Sequence, residues 1–453
     1  MSAPHHDDAA AHIERDTLAT LAAPGWRYWL LLLVMVGLVA CGGVAWTLML
    51  RRGLGLTGLN APVMWGSLIT SFVFFIGISH SGTLVSAILY FTRSPLRPAI
   101  GRSAEAMTVI AIMTAGLYPL IHMGRPWFAF WLLPYPNQRG LWPNFHSPLV
   151  WDIFAVCCYC TISALFLYMG MLPDLSLLSP RMGRWRRVLY KVLSLGFAGT
   201  DGEWSLLEKA YPIFAGVAIP LAVSVHSVVS WDFAMTLMPG WHSTIFAPYF
   251  VAGAIFSGLA MAIVLLALLR RTQRLERYIR ADHFDVMAKL LLAMSLVMSF
   301  VYVTEFASAV LRGSAAERAI FVWRATGRYA LIYWLVVVCN CLVPLFALSG
   351  RVRRSLPWMV AISVAVLVGM WFERFMIAVS LAHTFDPFSW GAYVPTLTEV
   401  FLCLGGFGWF GMLFLLFIKI FPCLSVTETL EGARVQAEHP RLVPAPEQEA
   451  AHA

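Results

Sequence analysis

From residue 28 onward the chain alternates long apolar runs with short polar connections. Ten runs reach roughly 20 mostly apolar residues, the length needed to cross a hydrocarbon core of ~30 Å. Apolar residues follow one another without the period of two that is typical of barrel strands, so the runs predict helices. We number these helices α1 to α10, at approximately residues 28–50, 65–90, 105–123, 148–172, 211–231, 248–270, 287–311, 329–348, 357–380 and 398–421.

Composition agrees with this pattern. Of the 453 residues, 59% are hydrophobic and 12% are charged, and the mean hydropathy is +0.73. These values lie well outside the range of water-soluble domains. The chain is therefore predicted to be an all-α polytopic membrane protein.

The basic residues predict the orientation, because Lys and Arg accumulate in the short loops on the cytoplasmic side. With the N-terminus inside, 23 of the 32 Lys and Arg residues fall in cytoplasmic segments, eight in outer loops and one, Arg374, within α9. Both termini are predicted to be cytoplasmic. The net charge of +8 reflects this bias and indicates no nucleic-acid partner.

Residues 1–27 are predicted to form a cytoplasmic N-terminal segment, because they are too polar and too mixed in charge for a signal peptide. An alternative interpretation is a lipoprotein cleavage site in "LVAC", which would make Cys41 lipidated and remove α1. Eight cysteines occur, and Cys157, Cys158 and Cys160 lie within the apolar run of α4, where apolar packing is expected. Cys157 and Cys160 have CxxC spacing, but no CxxCH motif occurs. We therefore expect neither an iron-sulfur cluster nor a haem on this chain.

Ionisable residues within the predicted helices concentrate toward the outer face. His122 closes α3 there, and Asp152 opens α4 at the same face. Such residues are rare at membrane depth and usually face a bundle interior, a cavity or a proton path, although each could also be a structural pair. The others are His226 and Asp232 in α5, Glu305 in α7, Glu373 and Arg374 in α9, and His80 in the middle or inner half of α2; His383 and Asp386 follow α9 and are expected to be hydrated loop residues.

His122 and Asp152 flank one loop and can approach each other across two antiparallel helices. A histidine and a carboxylate can bind the two polar ends of a quinone head group or accept the protons of a quinol. The loop between them carries aromatic residues that form either an interfacial belt or an apolar slot and docking surface: Trp127, Trp131, Tyr135 and Trp142. Ligation of a haem by His122 and His226 is the rival use of membrane histidines.

Several stretches together resemble the NrfD/PsrC family of quinone-interacting membrane subunits, and within it the ActC-like subunits of bacterial alternative complex III. These stretches are "SFVFFIGISHSGTLVSAILYF" (71–91), "AEAMTVIAIMTAGLYPLIHMGRPW" (104–127), "NFHSPLVWDIFAV" (144–156), "PGWHSTIFAPYFVAGAIFSGLAM" (239–261) and "GMWFERFMI" (369–377). The resemblance implies two four-helix bundles, α2–α5 within residues 64–232 and α6–α9 within 233–392. The peripheral parts are then α1 within 28–63, and α10 with a cytoplasmic tail within 393–453.

The resemblance also implies a function. In ActC-like proteins a histidine at the end of one helix and an aspartate at the start of the next hold the quinol, and these motifs fall on His122 and Asp152. Arg125, Trp127 and Trp151 would then line the pocket. The implied substrate is menaquinol or ubiquinol, and the implied place is the bacterial inner membrane. The implied partners are a periplasmic iron-sulfur subunit, multihaem c-type cytochromes and a paralogous NrfD-like membrane subunit.

Family proposals further include a proton path through the bundles. Its candidates in this chain are His80, His226, Asp232, Glu305, Glu373 and Arg374, together with hydroxyl groups of α2. The inner half of the helices is expected to offer few titratable groups that could complete such a route. Three alternatives remain open: an ActF-like structural or proton-conducting paralogue, a membrane anchor of the polysulfide-reductase type, and a secondary transporter. The last is suggested by ten helices and by Pro220 within the "GVAIP" segment of α5.

Overall fold

A computed structural model describes residues 4–60, 63–94, 96–133, 140, 142, 144–380 and 392–431, so that Tyr135, His383 and Asp386 lie outside the described residues. No strand occurs in the described part of the chain. Ten of its helices are long and apolar enough to cross a membrane. They correspond in order to α1–α10: Trp26–Arg52, Ser67–Phe91, Arg97–His122, Pro148–Arg181, Asp201–Ala234, Phe246–Thr272, Ala281–Arg312, Ala330–Leu348, Leu356–Val379 and Leu397–Ile420.

Three helices extend further than their apolar runs predict. α3 begins at Arg97 rather than near residue 105, α4 continues past residue 172, and α5 begins at Asp201 rather than near residue 211. Polar residues occupy these added turns. A prediction based on hydropathy therefore leaves the turns out of the helices. A capping box fixes the start of α5. The Thr200 hydroxyl accepts a hydrogen bond from the Glu203 backbone N–H, and the Glu203 carboxylate accepts one from the Thr200 backbone N–H.

α2 is the most enclosed of the membrane helices. It packs against α3 and α5 of the predicted α2–α5 set and against α6 of the predicted α6–α9 set, and it therefore contributes to the contact between them. Glycines permit these close approaches. A Cβ atom added to Gly82 would lie 2.3 Å from the Ala104 carbonyl oxygen of α3, and one added to Gly258 of α6 would lie 1.9 Å from the Ser81 Cβ of α2. Small residues at such crossings bring helix backbones into van der Waals contact in a membrane.

α1 and α10 pack along each other, and α1 exposes most of its surface. A Cβ atom on Gly42 of α1 would lie 2.8 Å from the Cα atom of Gly405 in α10. Glu399 anchors the first turn of α10, because its carboxylate accepts hydrogen bonds from the Gly58 backbone N–H at 2.7 Å and from the Tyr393 hydroxyl at 2.5 Å. The buried Glu399 thus ties the start of α10 to the segments that precede α2 and α10.

The N-terminal helix Pro4–Thr20 and the C-terminal residues 421–431 pack at the same end of the helices. The Tyr278 hydroxyl donates to Asp16 at 2.8 Å, and Arg97 pairs with Glu428 at 2.7 Å. We call this end the terminal face. The opposite end carries His122 and is called the site face. Ten crossings require the two terminal segments to share one end, as they do here.

α8 and α9 are irregular where they face each other. α8 changes from an α-helix to a π-helical turn at Val338–Leu342 and then to a 3₁₀ helix at Val343–Leu348, whereas α9 ends in a π-helical turn at Met376–Ser380. Asn340 lies in the first of these turns and donates from Nδ2 to the Tyr302 hydroxyl of α7 at 3.0 Å. Single π-helical turns interrupt α-helices most often at functional sites.

Candidate functional site at the site face

Two carboxyl groups meet near the site face. Asp152 lies in the second turn of α4 and Asp232 in the last turn of α5, and their side chains are in hydrogen-bonding contact. Both residues are buried, with 7% and 8% of their surface exposed. Because two negative charges repel strongly at such a distance, carboxyl groups in this arrangement share a proton. The pair can therefore take up and release a proton as a unit.

His122 ends α3 at the same face, with its Nδ1 atom buried and without a hydrogen-bond partner. No hydrogen bond joins His122 to Asp152 among the described residues. One carboxyl oxygen of each member of the pair, Oδ1 of Asp152 and Oδ1 of Asp232, is likewise buried without a partner. Buried polar atoms almost always have partners. The Nδ1 atom of His122 thus offers unused hydrogen-bonding capacity to a ligand, as do the carboxyl oxygens of the pair that the shared proton does not join.

The three predicted pocket residues differ from this pair in their exposure. Arg125 is exposed, and Trp127 and Trp151 expose 56% and 52% of their surface. The indole N–H of Trp151 donates to the Phe145 carbonyl oxygen at 2.9 Å. The exposed rings of Trp127 and Trp151 match an interfacial belt or a docking surface, and the lining of a pocket by these three residues stays a prediction.

A buried aromatic cluster, for which the sequence pattern gave no signal, adjoins Asp232. It consists of Trp65, Phe233 and Trp241. The indole rings of Trp65 and Trp241 stack at 5.6 Å, and Phe233 meets them edge-on at 5.2 Å and 5.0 Å. The Trp241 N–H is satisfied by the Ile377 carbonyl oxygen at 2.9 Å. The cluster lies at the same face as the carboxyl pair, because Phe233 directly follows Asp232 in α5.

Deeper in the helices two histidines meet. The rings of His80 in α2 and His226 in α5 are 4.9 Å apart, and His80 also stacks on Tyr159 of α4 at 4.4 Å. The Nδ1 atom of His80 lies 2.6 Å from the Ile76 carbonyl oxygen, so this nitrogen carries the proton and Nε2 is an acceptor. Nε2 of His80 and both ring nitrogens of His226 are buried without partners. This histidine pair can exchange protons with water or with each other.

Polar groups continue toward the terminal face between α2, α3, α4 and α5. The Thr83 hydroxyl donates to Ser163 at 3.3 Å, and the Glu105 carboxylate accepts from the hydroxyls of Ser86 at 2.6 Å and Tyr211 at 3.0 Å. Beyond Glu105, the buried Arg102 of α3 pairs with the buried Asp174 of α4 at 3.0 Å.

Glu105, Arg102 and Asp174 are not among the residues predicted from the sequence, which indicated an inner half poor in titratable groups. That prediction was wrong. Arg102 and Asp174 lie on turns that α3 and α4 add beyond their apolar runs, and Glu105 lies at the very start of the predicted α3. The charge within the "GRSAEAM" stretch, directly before an apolar run, was the available signal.

The α6–α9 set contains a second buried polar group. Glu373 accepts from the Tyr249 hydroxyl and pairs with Arg374 at 3.2 Å, and Glu305 lies 3.7 Å from Arg324. Arg324 and Glu373 border a cavity of about 20 Å³, which has room for a single water molecule. The predicted residues Glu305, Glu373 and Arg374 are thus brought together.

Arg374 connects the two polar groups. Its guanidinium lies over the Phe250 ring at 4.4 Å, and the same ring lies 5.8 Å from His226. The Phe250 ring therefore lies between Arg374 and His226. Among the described residues, no group of three or more His, Cys, Asp or Glu side chains could hold a metal ion.

Comparison with known proteins identifies the class to which this architecture belongs. The chain belongs to the family described as "Polysulphide reductase, NrfD", which it matches over residues 55–384. Residues that carry the site, from His80 to Arg374, all lie within the matched range.

Three curated relatives are named as subunits of oxidoreductases. The chain is 29% identical over 375 residues to a putative dimethyl sulfoxide reductase membrane subunit of Halobacterium salinarum. The aligned region covers 81% of this chain and 79% of the relative. It is 22% identical over 430 residues to the Hdr-like menaquinol oxidoreductase integral membrane subunit of Archaeoglobus fulgidus, covering 89% and 96%. It is 24% identical over 231 residues to a selenate reductase subunit of Mesobacillus selenatarsenatis, covering 49% and 53%.

Proposed function

We propose that the chain is the quinol-oxidising membrane subunit of an electron-transfer complex of the alternative complex III type in a bacterial inner membrane. The observation that carries this proposal is the buried carboxyl pair of Asp152 and Asp232 at the same face as the buried, unpartnered Nδ1 atom of His122. A quinol has two hydroxyl groups on a flat apolar ring, and it needs acceptors at its polar ends and apolar surface along its faces. One of the relatives is named a menaquinol oxidoreductase subunit.

The reaction at this site removes two electrons and two protons from one quinol and leaves one quinone. The Asp152 and Asp232 pair accepts a proton from one quinol hydroxyl, and His122 accepts the other through its neutral imidazole. Both groups lie at the site face and release their protons there. The electrons leave to a partner, for which the proposal names a periplasmic iron-sulfur subunit followed by multihaem c-type cytochromes, beside a paralogous NrfD-like subunit.

A proton path through the helices is a second part of the proposal. From the terminal face it would run from Glu105 past the Thr83 and Ser163 hydroxyls to His80 and His226. His226 and Asp232 are six residues apart on one helix, about 9 Å at 1.5 Å per residue, so water molecules must complete this step. Arg374, Glu373 and Glu305 would form a branch into the α6–α9 set.

The competing functions differ in whether quinol binds at the carboxyl pair and in which partner receives the electrons. In a subunit of the polysulfide-reductase type the same site would also oxidise quinol, but the electrons would serve reduction of an acceptor by a molybdenum subunit. In an ActF-like paralogue or a secondary transporter no quinol would bind. The unused acceptors near the site face favour a quinol site over the last two functions.

Photolabelling with an azidoquinone tests the site without altering the protein. We expect the label in peptides that contain the end of α3 and the start of α4, because His122 and Asp152 bind the head group there. Digestion and mass spectrometry of the labelled complex locate it, and an excess of unlabelled quinol should remove it. Labelling confined to peptides of α7 to α9, or labelling that unlabelled quinol does not reduce, would contradict the proposed site.

Replacement of Glu105 by glutamine tests the proton path. Because glutamine keeps the shape but cannot carry a proton, we expect quinol oxidation to continue while proton translocation falls to the protons released by quinol itself. The measurement is the ratio of protons to electrons with the complex in sealed liposomes and a pH-sensitive dye. Glu276→Gln, at an exposed position of the terminal face, is the matched control. The path is excluded if the wild-type ratio already equals the chemical value.

A further inference from the structure

An open groove of about 660 Å³ lies at the terminal face, where α7 begins and the chain turns from α8 into α9. It lies apart from the site and from the polar groups described above. Four cationic side chains and one carboxylate line it, which gives a net charge of +3: Lys289, Arg351, Arg353 and Arg354 against Asp285. A concentration of like charge at one place requires either a counter-ion or an anionic ligand.

Part of this groove is rigidly built. Asp285 pairs with Arg353 at 2.8 Å and with Lys289 at 2.6 Å. The Arg353 guanidinium also donates to the carbonyl oxygens of Ala347 and Leu348, both at 2.9 Å. These contacts fix Arg353 and neutralise Asp285. Arg351 and Arg354 remain exposed and have no carboxylate partner among the described residues.

The surroundings of the groove are apolar on the sides that face outward from the helices. Leu290 of α7 is 50% exposed, Phe346 and Leu348 at the end of α8 are 59% and 65% exposed, and Trp358 of α9 is 56% exposed. Exposed apolar side chains next to cations at a helix end are the pattern of the boundary between lipid acyl chains and headgroups, where tryptophan is enriched. The cations thus lie at the depth of the phosphate groups.

We propose that this groove binds the headgroup of an anionic phospholipid, with its phosphate held by Arg351 and Arg354 and its acyl chains along Leu290, Phe346 and Trp358. Basic pockets between membrane helices take anionic headgroups in this way. A free phosphate ion would match the cations but would make no use of the adjoining apolar surface. The groove therefore holds the lipid at the junction of α7, α8 and α9, next to the set that carries Glu305 and Glu373.

Native mass spectrometry of the purified complex tests this proposal, after delipidation and titration with phosphatidylglycerol or phosphatidylcholine. We expect the wild-type complex to retain phosphatidylglycerol preferentially. The double variant Arg351→Gln/Arg354→Gln should bind it roughly 25-fold more weakly, because each basic residue near an anionic headgroup contributes about fivefold. The control Arg184→Gln/Lys191→Gln removes two exposed cations from the same face, and it should change binding less than twofold.

Three results would overturn the proposal. The first is equal retention of both lipids by the wild-type complex. The second is an equal loss in the two double variants, which would indicate a diffuse surface charge. The third is displacement of the lipid by inorganic phosphate at the same concentration, which would indicate a site for a free anion. Quinol oxidation by Arg351→Gln/Arg354→Gln is measured in the same preparation and should be unchanged. A failure of the lipid proposal can therefore be distinguished from a failure of the proposed quinol site.

Discussion

Replacement of Asp152 by asparagine is expected to lower quinol oxidation by about 10²-fold or more, the usual contribution of a positioned proton acceptor. Asparagine has the volume of aspartate and fits the same space beside Asp232, so the complex should still assemble. It cannot accept a proton, and the shared proton of the carboxyl pair is lost. The measurement is quinol-dependent reduction of the partner's electron acceptor by the purified complex.

The double variant Asp152→Asn/Asp232→Asn sharpens this expectation. Because residues that act as one unit lose their contribution together, the double variant should be no slower than either single variant. Asp282→Asn, at a side chain that is 73% exposed, is the matched control and should retain full activity. Full turnover in Asp152→Asn would remove the basis of the site, whereas additive losses would separate the two carboxyl groups into independent roles.

Replacement of Arg102 by methionine is expected to destabilise the protein by about 3–5 kcal/mol, the usual effect of leaving one member of a buried ion pair without its partner. The Arg102 and Asp174 side chains are 2% and 0% exposed. Asp174 also accepts from the backbone N–H groups of Val426 and Thr427 at 3.2 Å and 3.0 Å. Loss of Arg102 therefore leaves a buried charge at the point where the C-terminal segment is held. The measurement is the midpoint of thermal unfolding in detergent.

Two further variants make this result interpretable. Arg102→Met/Asp174→Asn should recover part of the loss, because no unpaired charge then remains while an amide oxygen still accepts from the backbone. Arg181→Gln removes an arginine that pairs with Glu14 and is 48% exposed, and it should cost less than about 1 kcal/mol. An Arg102→Met protein as stable as the wild type would show that the ion pair contributes nothing net.

Much of the architecture could be predicted from the sequence. The apolar runs identified the ten helices, because each must satisfy its own backbone hydrogen bonds across the hydrocarbon core. They also identified α3 and α4 as the helices that carry His122 and Asp152 toward one face. The ends of α3 and α4 could not be predicted from hydropathy, because Arg102 and Asp174 neutralise each other inside the bundle.

Tertiary structure decided the partners of each polar residue. The chain pattern paired Asp152 with His122 across one loop, whereas packing of α4 against α5 brings Asp152 to Asp232, eighty positions later. In the same way, His80 meets His226 only because α2 lies against α5.

The sequence by itself therefore determined the ten helices that, in the described part of the chain, are long and apolar enough to cross a membrane, and the ionisable groups that lie within them, since hydrophobic length is a local property of the chain. Only the tertiary structure decided which of those groups share a proton, form an ion pair or remain without a partner. The physical reason is that a buried polar group is stabilised or left unsatisfied by atoms from other helices, and the crossing of those helices is set by side-chain packing that no single segment encodes.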